Sequence, residues 1–228
     1  MAEKKKTALI TGCSDDGIGS MLAIILRERV YHVFATARNV DKMKKLAGFD
    51  AGMTLLKLDV VNPRDIQAVV EAVTEHTGGT LDCFISNAGR NHFMPILDDD
   101  LAKAREIFEI NLFGPIALTQ AVAPLLIKAK GKAVYIVSTS GHLNIPFMGT
   151  YAASKIGLEV VAETLRLELK PFGVDVLEVV TGGVKSMGQT YFKDLKVPEG
   201  SVSSIHHPFN FLFPALPPSS LSFCPGAA

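Results

Sequence analysis

The sequence lacks an excess of charge of either sign. Lysine plus arginine and aspartate plus glutamate both number 23 in a chain of 228 residues, so no overall field attracts a nucleic acid. Hydrophobic residues make up 48% of the chain and charged residues 20%, which excludes disorder as the dominant state. We therefore expect one large domain or at most two small ones, with no nucleic-acid partner.

Cysteine and long apolar runs are also scarce. Cys13, Cys83 and Cys224 are an odd number without Cys-x-x-Cys spacing, which argues against a disulfide framework or zinc site and fits a reducing compartment. The first apolar run is too short for a signal peptide, and no run of about 18 apolar residues is present. We expect a cytoplasmic protein, with contact to a membrane surface left open.

Short apolar runs alternate with longer amphipathic segments. This alternation is typical of a parallel sheet covered by helices on both faces. It predicts a doubly wound α/β fold, that is, a three-layer Rossmann-type fold. The predicted strands are residues 7–11, 32–37, 54–58, 81–86, 133–137 and 174–180, and the predicted helices are 18–30, 41–46, 63–76, 101–128 and 151–170.

A glycine-rich turn joins the first predicted strand to the first predicted helix. Such a turn lets the backbone approach a pyrophosphate at a helix N-terminus. Glycine is also the default residue of ordinary turns, and the spacing departs from Gly-x-Gly-x-x-Gly, so the turn alone is weak support. Its candidate phosphate-binding residues are Gly12, Ser14, Gly17, Ile18 and Gly19.

Charged residues beside this turn bear on the choice of cofactor. Asp15 and Asp16 would repel a phosphate if they pointed inward, and we favour the alternative that they cap the following helix. The second predicted strand ends without the carboxylate that binds the ribose 2′-hydroxyl of NAD. Arg38 stands there instead and suits a 2′-phosphate, the alternative being an exposed arginine. NADPH is therefore predicted over NADH.

Tyr151 and Lys155 are spaced to share one face of a helix turn. A nearby ammonium favours the phenolate and would make the tyrosine a usable acid or base. Such a pair is common by chance, but Ser138, Asn111 and Asn87 also fall near the carboxyl ends of predicted strands or on adjoining helices. Open α/β sheets bind ligands there, although turns and caps explain each residue equally well.

Together these residues resemble the short-chain dehydrogenase/reductase family over residues 7 to about 195. The shared pattern is the glycine turn ending Gly-Ile-Gly, Asp59-Val60, Asn87-Ala88-Gly89, Asn111, Ser138 and Tyr151-x-x-x-Lys155. The resemblance implies an NADPH-dependent oxidoreductase that acts on a small-molecule carbonyl or alcohol.

The resemblance also implies roles for individual residues. Tyr151 would protonate the substrate oxygen, and Ser138 would hydrogen-bond it. Lys155 would bind the nicotinamide ribose and lower the pKa of Tyr151, and Asn111 would hold a water that links Lys155 to solvent. The implied NADP-binding set is Gly12, Ser14, Gly17, Ile18, Gly19, Arg38, Asp59, Val60, Asn87, Ala88, Gly89, Tyr151, Lys155, Gly183 and Val184.

A narrower resemblance concerns the substrate. TGCSxxGIG, LRLELKPFGV and VVTGGVKS resemble the fungal and yeast 1-acyldihydroxyacetone-phosphate reductases. This implies reduction of a lipid ketone in phospholipid synthesis, at the endoplasmic reticulum or a lipid-droplet surface. Two alternatives stay open: a steroid- or polyketide-type ketoreductase, and an inactive protein that only binds the cofactor.

The resemblance stops near residue 200. Family members continue with a substrate-covering region, a long helix and a seventh strand that takes part in the dimer interface. Residues 201–228 instead are rich in serine and proline and contain no Lys, Arg, Asp or Glu. We expect a reductase domain over residues 1–200, an irregular tail over 201–228, a sheet without its last strand, and a weakened homodimer interface.

Overall fold

Parallel strands form the central sheet of the computed structural model, which describes residues 5–49, 51–184, 186 and 197–205. Within these residues the sheet has six strands in the order β3-β2-β1-β4-β5-β6, all pairings being parallel. The strands are β1 (Thr7–Ile10), β2 (His32–Ala37), β3 (Met53–Lys57), β4 (Cys83–Ser86), β5 (Lys132–Ser138) and β6 (Asp175–Thr181). The predicted α/β fold is confirmed.

Helices connect the strands and cover the sheet. They are α1 (Ile18–Glu28), α2 (Lys44–Ala47), α3 (Pro63–Thr77), α4 (Leu101–Phe108), α5 (Gly114–Ala129) and α6 (Gly149–Leu169). Local sequence sets their ends: α3 begins where the Asn62 side chain accepts from the Arg64 N–H at 3.0 Å, with Pro63 at the first position.

The core has two parts, one on each face of the sheet. Neighbouring strand residues point to opposite faces, so Leu9 lies in one buried cluster and Ile10 in the other. The first cluster includes residues of α3, α5 and α6, and the second includes residues of α1 and α2. The predicted three-layer arrangement follows from this alternation.

The long helix predicted over residues 101–128 is divided into three segments. A π-helical segment, Glu109–Phe113, lies between α4 and α5. The stretch Leu101–Ala129 has the length and hydropathy of a membrane-spanning helix, and 44% of its most apolar window is buried. Its residues Leu118, Val122 and Leu126 are buried in the core beside the sheet. This is the position of a core helix in a folded domain.

The strand order reverses between β1 and β4. Ligands of open α/β sheets bind beyond the carboxyl ends of the strands at such a point. Among the described residues β6 is the last strand on this side of the sheet, and it exposes Leu177 by 57% and Val180 by 46%.

The predicted tail is described only in part. Ser201 is 8% exposed, and Val202–Ile205 forms a short 3-10 helix. Residues 206–228 lie outside the described residues, so the boundary at residue 200 and the irregular tail stay predictions.

Candidate active site

The end of β5 and the first turns of α6 bring three candidate residues together. Ser138 is the last residue of β5, and Tyr151 and Lys155 lie in the first two turns of α6. Their exposures are 8%, 9% and 5%. Three polar side chains are thus held in one largely buried place.

Tyr151 is held as a neutral phenol. Burial raises its pKa above the ordinary 10.0, and a hydrogen bond with Ser138 offsets part of the rise. Lys155 is not among these causes, because its amine is directed at the main chain of β5, and the expectation that it lowers the pKa of Tyr151 stays a prediction. A neutral phenol is the form that can donate a proton.

Lys155 binds the sheet through its amine. Nζ donates to the Ile136 carbonyl at 3.0 Å, and burial lowers the pKa of Lys155 from 10.5 to about 8. Gly89 makes the space for it, because a Cβ there would lie 3.2 Å from Lys155 Nζ and 3.3 Å from Asn111 Oδ1. Gly89, Asn111 and Lys155 thus meet beside the end of β4.

Asn111 is fully buried in the π-helical segment. Its Oδ1 accepts from the Arg90 N–H at 2.8 Å. Its Nδ2 donates to the Arg90 carbonyl at 2.9 Å and to Ser154 Oγ at 3.0 Å. Both donors are thus engaged in joining the loop after β4 to α6, and the water predicted to connect Lys155 with solvent stays a prediction.

The glycine turn packs closely on the loop after β4. Gly12 has a φ of 74°, and a Cβ on Gly19 would lie 2.6 Å from both Asn87 Nδ2 and the Gly12 carbonyl oxygen. Asn87 Nδ2 donates to the carbonyls of Thr11 at 2.7 Å and Gly12 at 3.1 Å. Asn87 therefore holds the turn in place, a role that its predicted membership of the NADP-binding set did not include.

Asp15 and Asp16 bind α2, whereas we predicted that they cap α1. Asp15 accepts from the N–H groups of Lys44 at 3.0 Å and Lys45 at 3.1 Å. Asp16 pairs with Lys45 Nζ at 2.5 Å. The N-cap residue of α1 is Gly17, which has no side chain to cap it, and both carboxylates instead satisfy donors of the neighbouring helix.

The remaining candidates follow β2, β3 and β6 in the chain. Arg38 is exposed just after β2. The Asp59 N–H donates to Asp65 Oδ2 at 2.9 Å, and Val60 is 6% exposed. Gly183 and Val184 follow β6 and are exposed. Arg38 and Asp59 thus lie at the carboxyl ends of β2 and β3.

These features fit a dinucleotide. Helix α1 begins without a side-chain cap, so its first N–H groups are available to a pyrophosphate. The bare Cα atoms of Gly12 and Gly19 give the turn its close packing, and exposed Arg38 stands where the adenosine end would lie.

Several supporting residues were missed in the sequence. Thr11 Oγ1 accepts from the N–H groups of Asn87 at 2.9 Å and Ala88 at 2.8 Å. Ser154 donates to the Tyr151 carbonyl at 2.7 Å. Ser154 lies directly before Lys155, a position that could have marked it, but the partner of Thr11 is distant in the chain and no local pattern reveals it.

Comparison with known proteins decides the family. Residues 6–195 match the short chain dehydrogenase family. The chain belongs to the short-chain dehydrogenase family. It is accordingly an oxidoreductase.

Two relatives illustrate this membership. A short-chain dehydrogenase of Penicillium crustosum is 50% identical over 184 residues, which are 81% of this chain and 68% of that protein. An NADPH-dependent 1-acyldihydroxyacetone phosphate reductase of Schizosaccharomyces pombe is 36% identical over 214 residues, 92% of this chain and 71% of that protein.

Solved structures agree with the fold. A short-chain dehydrogenase from Streptomyces avermitilis has a TM-score of 0.77 at 30% identity, covering 82% of this chain and 68% of that one. One from Burkholderia cenocepacia, in complex with NADP, has a TM-score of 0.75 at 25% identity, covering 85% and 79%.

Lys155→Met tests the cost of burying the amine. At ~1.4 kcal/mol per pKa unit, the lowered pKa corresponds to a penalty of roughly 3 kcal/mol for the charged form. The lost hydrogen bond to Ile136 offsets about 1 kcal/mol. We expect the free energy of unfolding at neutral pH to rise by about 1–2 kcal/mol, measured by urea denaturation.

The pH dependence gives the sign of the effect. The folded pKa of Lys155, about 8, lies below its ordinary 10.5, so the lysine's contribution to stability is lowest below the folded pKa and increases as pH rises through this window. The gain from Lys155→Met should shrink accordingly. Lys170→Met, at an exposed lysine just after α6, is the control. A loss of stability in Lys155→Met at neutral pH would contradict the assignment.

Proposed function

We propose that this protein reduces a ketone to a secondary alcohol with NADPH, with Tyr151 as the proton donor. The observation that carries the proposal is that β5 and α6 bring Ser138 and a buried Tyr151 together, one helix turn from a buried lysine. Bound NADPH supplies the hydride that adds to the carbonyl carbon.

The residues of the chain account for the proton. Tyr151 Oη gives its proton to the carbonyl oxygen, and Ser138 hydrogen-bonds the same oxygen as negative charge develops on it. The Lys155 amine, with its pKa at about 8, is still mainly protonated at neutral pH. Its positive charge favours the phenolate that Tyr151 becomes after the transfer.

Arg38 supports the choice of NADPH. No carboxylate stands directly after β2, and the exposed guanidinium there can bind a 2′-phosphate with two parallel hydrogen bonds. The NADPH-dependent relative of Schizosaccharomyces pombe and the NADP-bound Burkholderia cenocepacia structure support the same choice. We also propose that the other members of the predicted NADP-binding set, from Gly12 to Val184, contact the cofactor.

Charges beside the site favour an uncharged substrate. The loops after β4 and β5 (residues 87–100 and 139–148) contain three basic side chains, and each is paired with a carboxylate. Arg90 lies 3.7 Å from Glu106, His92 lies 2.7 Å from Asp99, and His142 lies 3.0 Å from Glu159.

The same loops expose apolar side chains. Ile96 is 63%, Leu97 82% and Leu143 57% exposed. An apolar ketone of the steroid or polyketide type suits such a surface better than a phosphate ester does. Reduction of 1-acyldihydroxyacetone phosphate is the second candidate, supported by the 36% identical relative. Homodimerisation and contact with the endoplasmic reticulum or lipid droplets stay predictions.

Tyr151→Phe tests the proton donor. Phenylalanine keeps the ring but has no proton to give, so we expect kcat to fall by about 10²–10⁴-fold. NADPH affinity, measured by fluorescence titration, should stay within about twofold, since the ring and the fold are retained. Tyr135→Phe is the matched control, because Tyr135 is a fully buried residue of β5 whose hydroxyl bonds Thr119. Full turnover by Tyr151→Phe would refute the proposed function.

Arg38→Asp tests the cofactor. A carboxylate should repel the 2′-phosphate and accept from a 2′-hydroxyl, so the preference for NADPH over NADH should fall by at least about tenfold. Preference is measured as the ratio of kcat/KM values. The control is Arg29→Asp, at the residue that follows α1 in the chain, and it should leave the ratio unchanged. An unchanged ratio in Arg38→Asp would show that Arg38 does not contact the phosphate.

The substrate class is tested with two ketones, decalone and palmitoyl dihydroxyacetone phosphate. We expect higher kcat/KM for decalone, because the basic groups of the two loops are already paired. The double variant Glu106→Gln/Glu159→Gln frees Arg90 and His142 and should raise kcat/KM for the phosphate substrate alone, by about three- to tenfold. If the unmodified protein prefers the phosphate substrate, the second candidate replaces the first.

A further inference from the structure

Three consecutive aspartates before α4 each bind a different part of the protein. Asp98 Oδ2 accepts from Ser201 Oγ at 2.5 Å. Asp100 caps α4 by accepting from the Ala102 N–H at 2.9 Å. Asp99, between them, bonds both His92 in the loop after β4 and Thr150 in the first turn of α6.

The side chain of Asp99 is more deeply buried than that of its partner His92. Its side chain is 4% exposed, against 13% for that of His92. Oδ1 lies 2.7 Å from His92 Nε2, and Oδ2 accepts from Thr150 Oγ1. Both carboxylate oxygens are thus directed at defined partners, as a buried carboxylate requires.

The partner Thr150 directly precedes Tyr151. Helix α6 starts after Met148, which provides no side-chain cap, so the first turn lacks the usual local anchor. The Asp99 carboxylate supplies a negative charge at this helix N-terminus, where the helix dipole favours it.

A packing contact fixes the same turn. A Cβ on Gly149 would lie 2.6 Å from Ile96 Cδ1, so Ile96 rests directly on the first residue of α6. The segment Ile96–Asp99 therefore holds α6 by one apolar contact, at Gly149, and one hydrogen bond, at Thr150.

We propose that Asp99, oriented by His92, is a positioning residue that fixes Tyr151 for proton transfer through Thr150. The proposal rests on the proposed role of Tyr151 as proton donor. The anchored first turn of α6 fixes the position of Tyr151 relative to Ser138, and a displacement of about 1 Å at a reacting group can cost about a hundredfold in rate.

The test compares two substitutions of Thr150. Thr150→Val keeps the size of the side chain and removes the hydroxyl, so kcat should fall by at least about tenfold while NADPH affinity stays within about twofold. Thr150→Ser keeps the hydroxyl and should restore kcat to within about threefold of the unmodified protein. A merely structural role would not separate kcat from NADPH affinity in this way.

Asp99 itself is tested against its neighbour. Asp99→Asn and His92→Leu should each lower kcat at little-changed NADPH affinity. Asp100→Asn, with the same change of charge one residue away, should keep the α4 cap, because asparagine caps a helix as well as aspartate does, and should leave kcat within about twofold. If Thr150→Val does not fold, these variants of Asp99, His92 and Asp100 test the positioning role in its place.

The outcomes separate this proposal from the proposed function. If Thr150→Val, Asp99→Asn and His92→Leu all fold with unchanged kcat while Tyr151→Phe is inactive, the positioning role is wrong and the function stands. If Tyr151→Phe is fully active, the proposed function is refuted, and the positioning role that rests on it is refuted with it. If Asp100→Asn lowers kcat as much as Asp99→Asn does, the effect belongs to the whole segment and the role of Asp99 is refuted.

Discussion

The contact between the Lys155 amine and the Ile136 carbonyl is the interaction on which the rest of the site depends. It joins α6 to β5 at 3.0 Å in a place where the lysine is 5% exposed. A charged amine is costly in such surroundings, and only a main-chain acceptor and the gap left by Gly89 make the position tenable. Tyr151, one turn earlier on the same helix, is placed by the same docking.

Burial shifts the two key groups towards their neutral forms. It raises the pKa of Tyr151 and lowers that of Lys155 to about 8. A phenol that keeps its proton and an amine that is close to losing one suit a site that must donate a proton and then regain it. The stability lost in burying the lysine is thus consistent with a functional purpose, as is common where activity and stability conflict.

The sequence predicted the fold well, because each element carried a local signal. A short apolar run identified β2 at its observed bounds, 32–37, and Pro63 marked the start of α3. The π-helical segment within the long helix was missed, since a change of helical hydrogen bonding leaves no trace in hydrophobic spacing. Side-chain partners were predicted least well: Asp15 accepts from N–H groups of α2, Asp16 pairs with the Lys45 side chain, and Asp99 bonds Thr150 from 51 residues away. Such contacts depend on tertiary structure, which residue spacing does not encode.

Folding buries the Lys155 amine beside Tyr151, and an NMR titration of this amine measures the consequence. The side-chain signal of Lys155, assigned by comparison with Lys155→Met, is followed as a function of pH. We expect a midpoint near 8, well below the ordinary 10.5. A midpoint at 10.5 would mean that the amine is solvated, and would contradict both the buried contact with Ile136 and the active site built around it.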